Sequence, residues 1–215
     1  MPLVLLPVIA GVIEAVRGNG DLAREHAYRR ARAWFSRRSE VDPTASVELS
    51  FNRALVEAIL GVPRAVLAEL GDAASPVRAG FVRQELATCD LLVGWARAKL
   101  GVTGGLAEAV EAMAEIDRDG ERSLRSCLRT FVADASLAVG DGRAVELLEQ
   151  ARSEALARGE VWWLSETVRL QAEADRHWGD GSRAPALLDE AETLAREHGA
   201  QLVLARLAVT RALDG

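Results

Sequence analysis

RTFVADASLAVGDGRAVELLEQARSEALARG, residues 129–159, and RLQAEADRHWGDGSRAPALLDEAETLAREHG, residues 169–199, are two copies of one pattern. Gly140-Asp141-Gly142-Arg143-Ala144 aligns with Gly179-Asp180-Gly181-Ser182-Arg183-Ala184 once a single loop residue is inserted. Leu148, Ala151 and Gly159 then fall on Leu188, Ala191 and Gly199. Both copies place alanine at i and i+7 after the turn, which is one face of an α-helix.

Working outward, the same turn recurs along the chain. Gly20, Gly61, Gly101, Gly140 and Gly179 each open a short turn before an alanine- and leucine-rich stretch, at spacings of 41, 40, 39 and 39 residues. Seven residues before Gly18, Gly61, Gly101, Gly140 and Gly179 lie Gly11, Ala54, Gly94, Ala133 and Ala172, all small. Two antiparallel helices joined by a tight turn approach backbone to backbone only where no large side chain intervenes, so this column marks a repeated helical hairpin. No stretch alternates apolar and polar residues long enough for a strand.

The chain is therefore expected to be all-α: a right-handed α-solenoid of hairpins resembling tetratricopeptide repeats, with about 11 helices and a period of about 40 residues. First helices are expected near 3–17, 44–60, 76–100, 121–139 and 161–178, and their partners near 21–38, 63–70, 104–117, 143–158 and 182–198. A final helix near 201–213 opens a sixth hairpin. The corresponding repeats are 1–40, 41–74, 75–119, 120–159, 160–199 and a half repeat 200–215, in one domain. Pro43, Pro63 and Pro76 fall at or just before helix starts, where a missing N–H costs little. Pro7 marks either the start of the first helix or a kink in it.

Over residues 129–213 the pattern of arginine, leucine and a small residue followed by Gly-Asp, and of a second helix closing on Ala195-Arg196-Glu197-His198-Gly199, resembles the repeats of large bacterial ATP-dependent LuxR-type regulators, the group that includes the maltose-regulon activator. The resemblance is weaker before residue 129. The period near 40 departs from the 34 of the common tetratricopeptide motif, and the tryptophan and tyrosine pattern of that motif's first helix is absent. The resemblance implies a regulatory or scaffolding segment of a cytoplasmic bacterial signalling or transcription protein. The ATPase and DNA-binding modules of that family are not represented: Gly101-Val-Thr-Gly-Gly105 lacks the lysine of a phosphate-binding loop, and no basic helix-turn-helix follows.

Composition narrows the function. The 215 residues are 49% hydrophobic and 27% charged, with a net charge of −6, so the chain is packed and lacks the basic footprint of direct nucleic-acid contact. No apolar run is long enough to span a membrane. Cys89 and Cys127 show neither zinc-ligand nor redox-pair spacing and read as small buried hydrophobes in a reducing, cytoplasmic compartment. The histidines, His26, His177 and His198, have no triad partners nearby. Paired Glu-x-x-His and Gly-x-Ser-x-Gly motifs are absent, so no enzyme, metal or cofactor is expected. Glu173 and His177, at i and i+4, read as a surface helix pair.

If function lies on the surface made by the first helices, the residues just after the small column and three before it face the groove. These are Val12, Leu55, Trp95, Asp134 and Glu173, then Val8, Phe51, Leu91, Thr130 and Arg169. Phe51, Leu55, Leu91 and Trp95 suit a partner helix, a hydrophobic peptide or a small apolar effector, unless a tight superhelix packs them together. Glu166, Arg169, Glu173 and Arg176 form a charged strip that reads either as a ligand clamp or as a self-paired face. Trp162, Trp163 and Trp178 bracket one helix; the more exposed of the first two is the better anchor for a partner. The expected role is a non-catalytic regulatory or protein-interaction module, with small-molecule effector sensing as the alternative. The apolar start, including Leu5, Val8 and Ile9, and the apolar last helix point to a segment of a longer array or to a homodimer through its ends.

Overall fold

A computed structural model describes residues 6–30, 45–71, 83–119 and 124–212. Among these residues there are eleven α-helices and no strand. They are α1 (Leu6–Val16), α2 (Gly20–Arg24), α3 (Ala45–Leu60), α4 (Pro63–Leu70), α5 (Arg83–Lys99), α6 (Gly105–Asp119), α7 (Arg125–Val139), α8 (Ala144–Arg158), α9 (Leu164–Trp178), α10 (Ala184–Glu197) and α11 (Gln201–Ala212). Short 3₁₀ turns, Val161–Trp163 and Gly181–Arg183, lead into α9 and α10.

The turn glycines close the first helices in a common way. Gly140 has φ of 74°, and the N–H groups of Gly140 and Asp141 donate to the carbonyls of Leu137 (3.2 Å) and Ser136 (2.9 Å). This left-handed cap satisfies the last carbonyls of the helix and reverses the chain, and it suits glycine because a Cβ there is strained. The same pair of bonds ends α1 at Gly18, α3 at Gly61 and α5 at Gly101. Gly179 differs: its φ is −109°, and a Cβ there would lie 2.5 Å from Oδ1 of Asp175. The fifth copy keeps glycine to make room for a buried carboxylate.

The small column performs the close approach it suggests. Ala54, Ala133 and Ala172 are fully buried, and Gly11 is buried as well. A Cβ on Gly94 would lie 2.5 Å from the nitrogen of Ala109 and 2.7 Å from the oxygen of Gly105, so α5 and α6 touch backbone to backbone.

Each helix packs against its hairpin partner and against the next hairpin, and the successive first helices α1, α3, α5, α7, α9 and α11 touch in order. The last helix departs from this nearest-neighbour order: α11 also touches α1 and, through Arg206, α3. The buried apolar residues of most of the chain merge into one cluster, including Ile59, Trp95, Leu128 and Leu207, with a satellite around Leu148 and Leu170.

In the first hairpin the boundaries differ from the expected ones. The second helix of the first hairpin is α-helical only through Arg24 and then widens into a π-helical turn, Glu25–Arg30. There Arg24 holds the buried Glu57 with two bonds of 2.8 Å, and Tyr28 donates to the same carboxylate at 3.3 Å. The expected stretch 31–38 lies outside the described residues, as do Pro43, Pro76 and the start of the third first helix. Pro7 lies in α1, and the residues before Leu6, which decide between a helix start and a kink there, lie outside the described residues. No helix among the described residues is long and apolar enough to cross a membrane.

Candidate functional site

The last helix decides the site. Leu202, Ala205, Arg206, Val209 and Thr210 recur at i, i+3, i+4, i+7 and i+8 along α11 and face a central cavity of about 450 Å³. Val203 and Leu207, on the adjoining face, are almost fully buried where α11 packs on α10. The first helices supply the opposite wall, with Leu60 of α3, Trp95 and Lys99 of α5, Phe131 and Asp134 of α7, and Arg169 and Glu173 of α9.

Polar rungs about one repeat long link neighbouring first helices across this face. Trp95 Nε1 donates to Asp134 Oδ2 at 2.7 Å, and Thr130 and Thr167 share a bond of 2.9 Å. Arg169 Nη1 donates to Thr210 Oγ1 at 3.0 Å, and Arg206 Nη1 to Glu166 Oε1 at 2.7 Å. By these rungs α11 occupies the place of a sixth first helix. Arg206 then reaches further, donating to the carbonyl of Ile59 at 2.7 Å, while the Gln201–Leu202 backbone lies against the turn at Gly18. Arg206 thus ties the last helix to the end of α3, 147 residues away in sequence.

The floor of the cavity is a buried ion network. Arg169 grips Glu166 with two bonds, Nε to Oε2 at 2.8 Å and Nη2 to Oε1 at 2.9 Å, and reaches Glu173 at 2.5 Å. Burial alone pushes the Glu166 carboxyl up, but the Arg169 and Arg206 guanidiniums outweigh it and hold the group at about 2. Burial likewise opposes the charge on Arg169, and Glu166 and Glu173 more than restore it, so its pKa is raised. Above this floor Lys99 Nζ donates to Asp134 Oδ1 at 2.9 Å. An aromatic stack, almost wholly buried, backs the site: Trp95 meets Phe131 edge-on at 5.3 Å, Phe131 leans on Trp163 at 6.2 Å, and Arg206 lies 5.9 Å over the Trp163 ring.

Of the residues singled out from sequence, Trp95, Arg169 and Glu173 line this cavity together with Asp134, Thr130 and Glu166. Leu55 and Leu91 are buried in the core, and Phe51 is half-buried against it. Close packing accounts for these three, since the first helices of the early hairpins sit too close to leave a groove between them. Arg176 lines a separate cavity beside His177 and Trp178. Leu5 and the side chain of Val8 lie outside the described residues, whereas Ile9 is exposed on α1. Trp163 is buried and Trp162 only half-buried. Lys99, Arg206 and Thr210 were missed; the 202, 205, 206 and 209 spacing on α11 was the signal that this helix has a second inward face.

Among the described residues no group of three or more His, Cys, Asp or Glu side chains is placed to hold a metal ion. Searches of known protein families, curated proteins and solved structures return no match to this chain.

Proposed function

We propose that the protein is a non-catalytic, effector-sensing module of the helical-repeat kind, which takes a small molecule into its central cavity. In this reading the hairpins form a right-handed solenoid, and five of its first helices, α3, α5, α7, α9 and α11, line the site. The observation that carries it is the position of α11. An open solenoid offers a channel that fits a partner helix. Here α11 already lies across that face, tied to α3 by Arg206, and leaves a half-open cavity of about 450 Å³. That volume falls in the range of small-ligand sites, and aromatic walls with a few placed polar groups are their usual lining.

The regulatory context follows the resemblance to LuxR-type regulators: the module would report effector binding to neighbouring domains of a cytoplasmic signalling or transcription protein. Protein interaction is then the output rather than the primary recognition event. Exposed Trp178, Ile9 and Ile13 are the apolar surface suited to that contact.

The test uses the neutral fluorophore N-phenyl-1-naphthylamine. Saturable 1:1 binding with a blue-shifted emission is expected. Binding should be lost in Ala205→Trp, which fills the cavity from an exposed position on α11 and leaves the core untouched. Absence of saturable binding, or binding unchanged in a folded Ala205→Trp protein, overturns the reading.

A further inference from the structure

The small column at Gly11, Ala54, Gly94, Ala133 and Ala172 fixes equivalent positions in the five hairpins. Two residues before it stand Ile9 in the first copy and Asn52, Leu92, Phe131 and Leu170 in the others. Two residues after it stand Ile13 and then Val56, Ala96, Ala135 and Ala174. In the four later copies both positions are buried, at 8% exposure or less, whereas Ile9 is 45% and Ile13 43% exposed. One exposed isoleucine is ordinary, but two at i and i+4, in columns that every other copy buries, mark one specific face of α1.

The preceding hairpin covers that face everywhere else in the chain. Leu170 and Ala174 of α9 share the satellite core with Ala133 of α7 and with Ala144 and Leu148 of α8. Phe131 of α7 meets Trp95 of α5 edge-on at 5.3 Å. Val56 of α3 lies against Gly11 of α1, where a Cβ would come 3.4 Å from Val56 Cγ2. The covering elements thus bring small residues opposite a branched side chain, and a leucine from the second helix of the hairpin.

From this repeated interface we infer that Ile9 and Ile13 are the docking face for an amphipathic α-helix of a protein partner, one that carries alanines and a leucine on its contact side as α8 does. The face continues an interface that the chain builds between its own hairpins, and apolar burial drives it, since neither column holds a charged side chain. A second copy of this chain does not supply the same helix, because the onward side of each hairpin is already covered by the next first helix. On α9 and α10 that helix is α11, with Val203 and Leu207 buried. The inference rests on that part of the reading above which makes protein contact the output, and adds the chemistry of the partner; it does not require the cavity to hold a ligand.

The probe is a fluorescein-labelled peptide of residues 143–159, which is α8 with one flanking residue at each end, titrated against the full chain by anisotropy. Saturable binding is expected below about 1 mM, since one short helix supplies only part of the interface. Ile9→Asp and Ile13→Asp should each weaken it about tenfold or more, because a carboxylate is then desolvated against apolar side chains. Both isoleucines are exposed, so the variants spare the core, and an unchanged helical circular dichroism spectrum checks this. A peptide with Leu148→Asp should fail likewise, whereas Val139→Asp in the chain, at an exposed apolar residue ending α7, should leave binding unchanged. No saturable binding to folded protein, or binding unaffected by both isoleucine variants, overturns the assignment. So does light scattering that finds the parent a dimer and Ile13→Asp a monomer, which gives the face to a second copy. Binding of N-phenyl-1-naphthylamine reads the cavity separately: its absence from parent and Ile13→Asp alike overturns the cavity reading and leaves the docking face standing.

Discussion

Glu166→Gln removes one charge from the most buried ion network in the chain while keeping the shape of the side chain. Glu166 is 3% exposed, and its carboxyl sits at about 2 against an ordinary 4.5. At about 1.4 kcal/mol per pKa unit, the ionised form contributes about 3 kcal/mol at neutral pH. This agrees with the cost of about 3–5 kcal/mol for removing one partner of a buried pair. The loss arises because Arg169, only 7% exposed, keeps Glu173 alone as a charged partner, and Arg206 loses its carboxylate.

The sign with pH is fixed by the direction of the shift. A carboxyl depressed in the folded state stabilises above its unfolded pKa and loses that contribution as pH falls toward the folded value. The difference between parent and Glu166→Gln should therefore be full at pH 7, start to shrink below about 4.5, and stand at about half its size at pH 3. Urea unfolding followed by helical circular dichroism at both pH values measures it. Glu108→Gln serves as the exposed control, since its pair with Arg97 is partly solvated and should matter by about 1 kcal/mol or less. A Glu166→Gln protein within about 0.5 kcal/mol of the parent at pH 7, or a gap that does not shrink on acidification, refutes the reasoning.

Gly94→Ala should cost about 3 kcal/mol or more, read as a lowered Tm, because the new methyl meets the Ala109 nitrogen at 2.5 Å and neither backbone can yield. Asp175→Asn should stabilise by about 1 kcal/mol at pH 7, because both buried carboxylate oxygens lack a hydrogen bond and burial raises the group's pKa. A raised carboxyl destabilises when ionised, so this gain should vanish as pH falls below the ordinary aspartate range; urea titrations at neutral and acidic pH check it. Leu148→Ala should cost about 3 kcal/mol in the same assay, since the side chain is fully buried in the satellite core.

The helical hairpins were legible because their signals are local. A glycine in a left-handed cap and a small residue seven positions earlier depend only on the hairpin that contains them, and both columns recur in the structure. The groove was harder to read because it depends on how far successive first helices separate. That distance differs along the chain: Leu55 and Leu91 are closed into the core and Trp95 is almost wholly buried, whereas Asp134 and Glu173, from the column of Leu55, stand half-buried beside the cavity. Arg206 and Thr210 were invisible for a different reason. Their partners lie one repeat back in Glu166, Arg169 and Glu173, and for Arg206 also at Ile59, so no window of local sequence contains the interaction.

That long-range contact changes what the repeats do together. In a chain whose hairpins touch only their neighbours, stability is a sum of repeat and interface terms, and end repeats fray independently. Arg206 joins the last helix to the end of α3, and the Gln201–Leu202 backbone rests on the α1–α2 turn, so opening at either end breaks a contact belonging to the other. Coupling of this kind also runs through the cavity. Lys99 and Arg206 stand on α5 and α11 and line one space, so under the proposed function a ligand seated there touches two distant hairpins at once. Under the proposed function the sensing element is the seat of α11 itself.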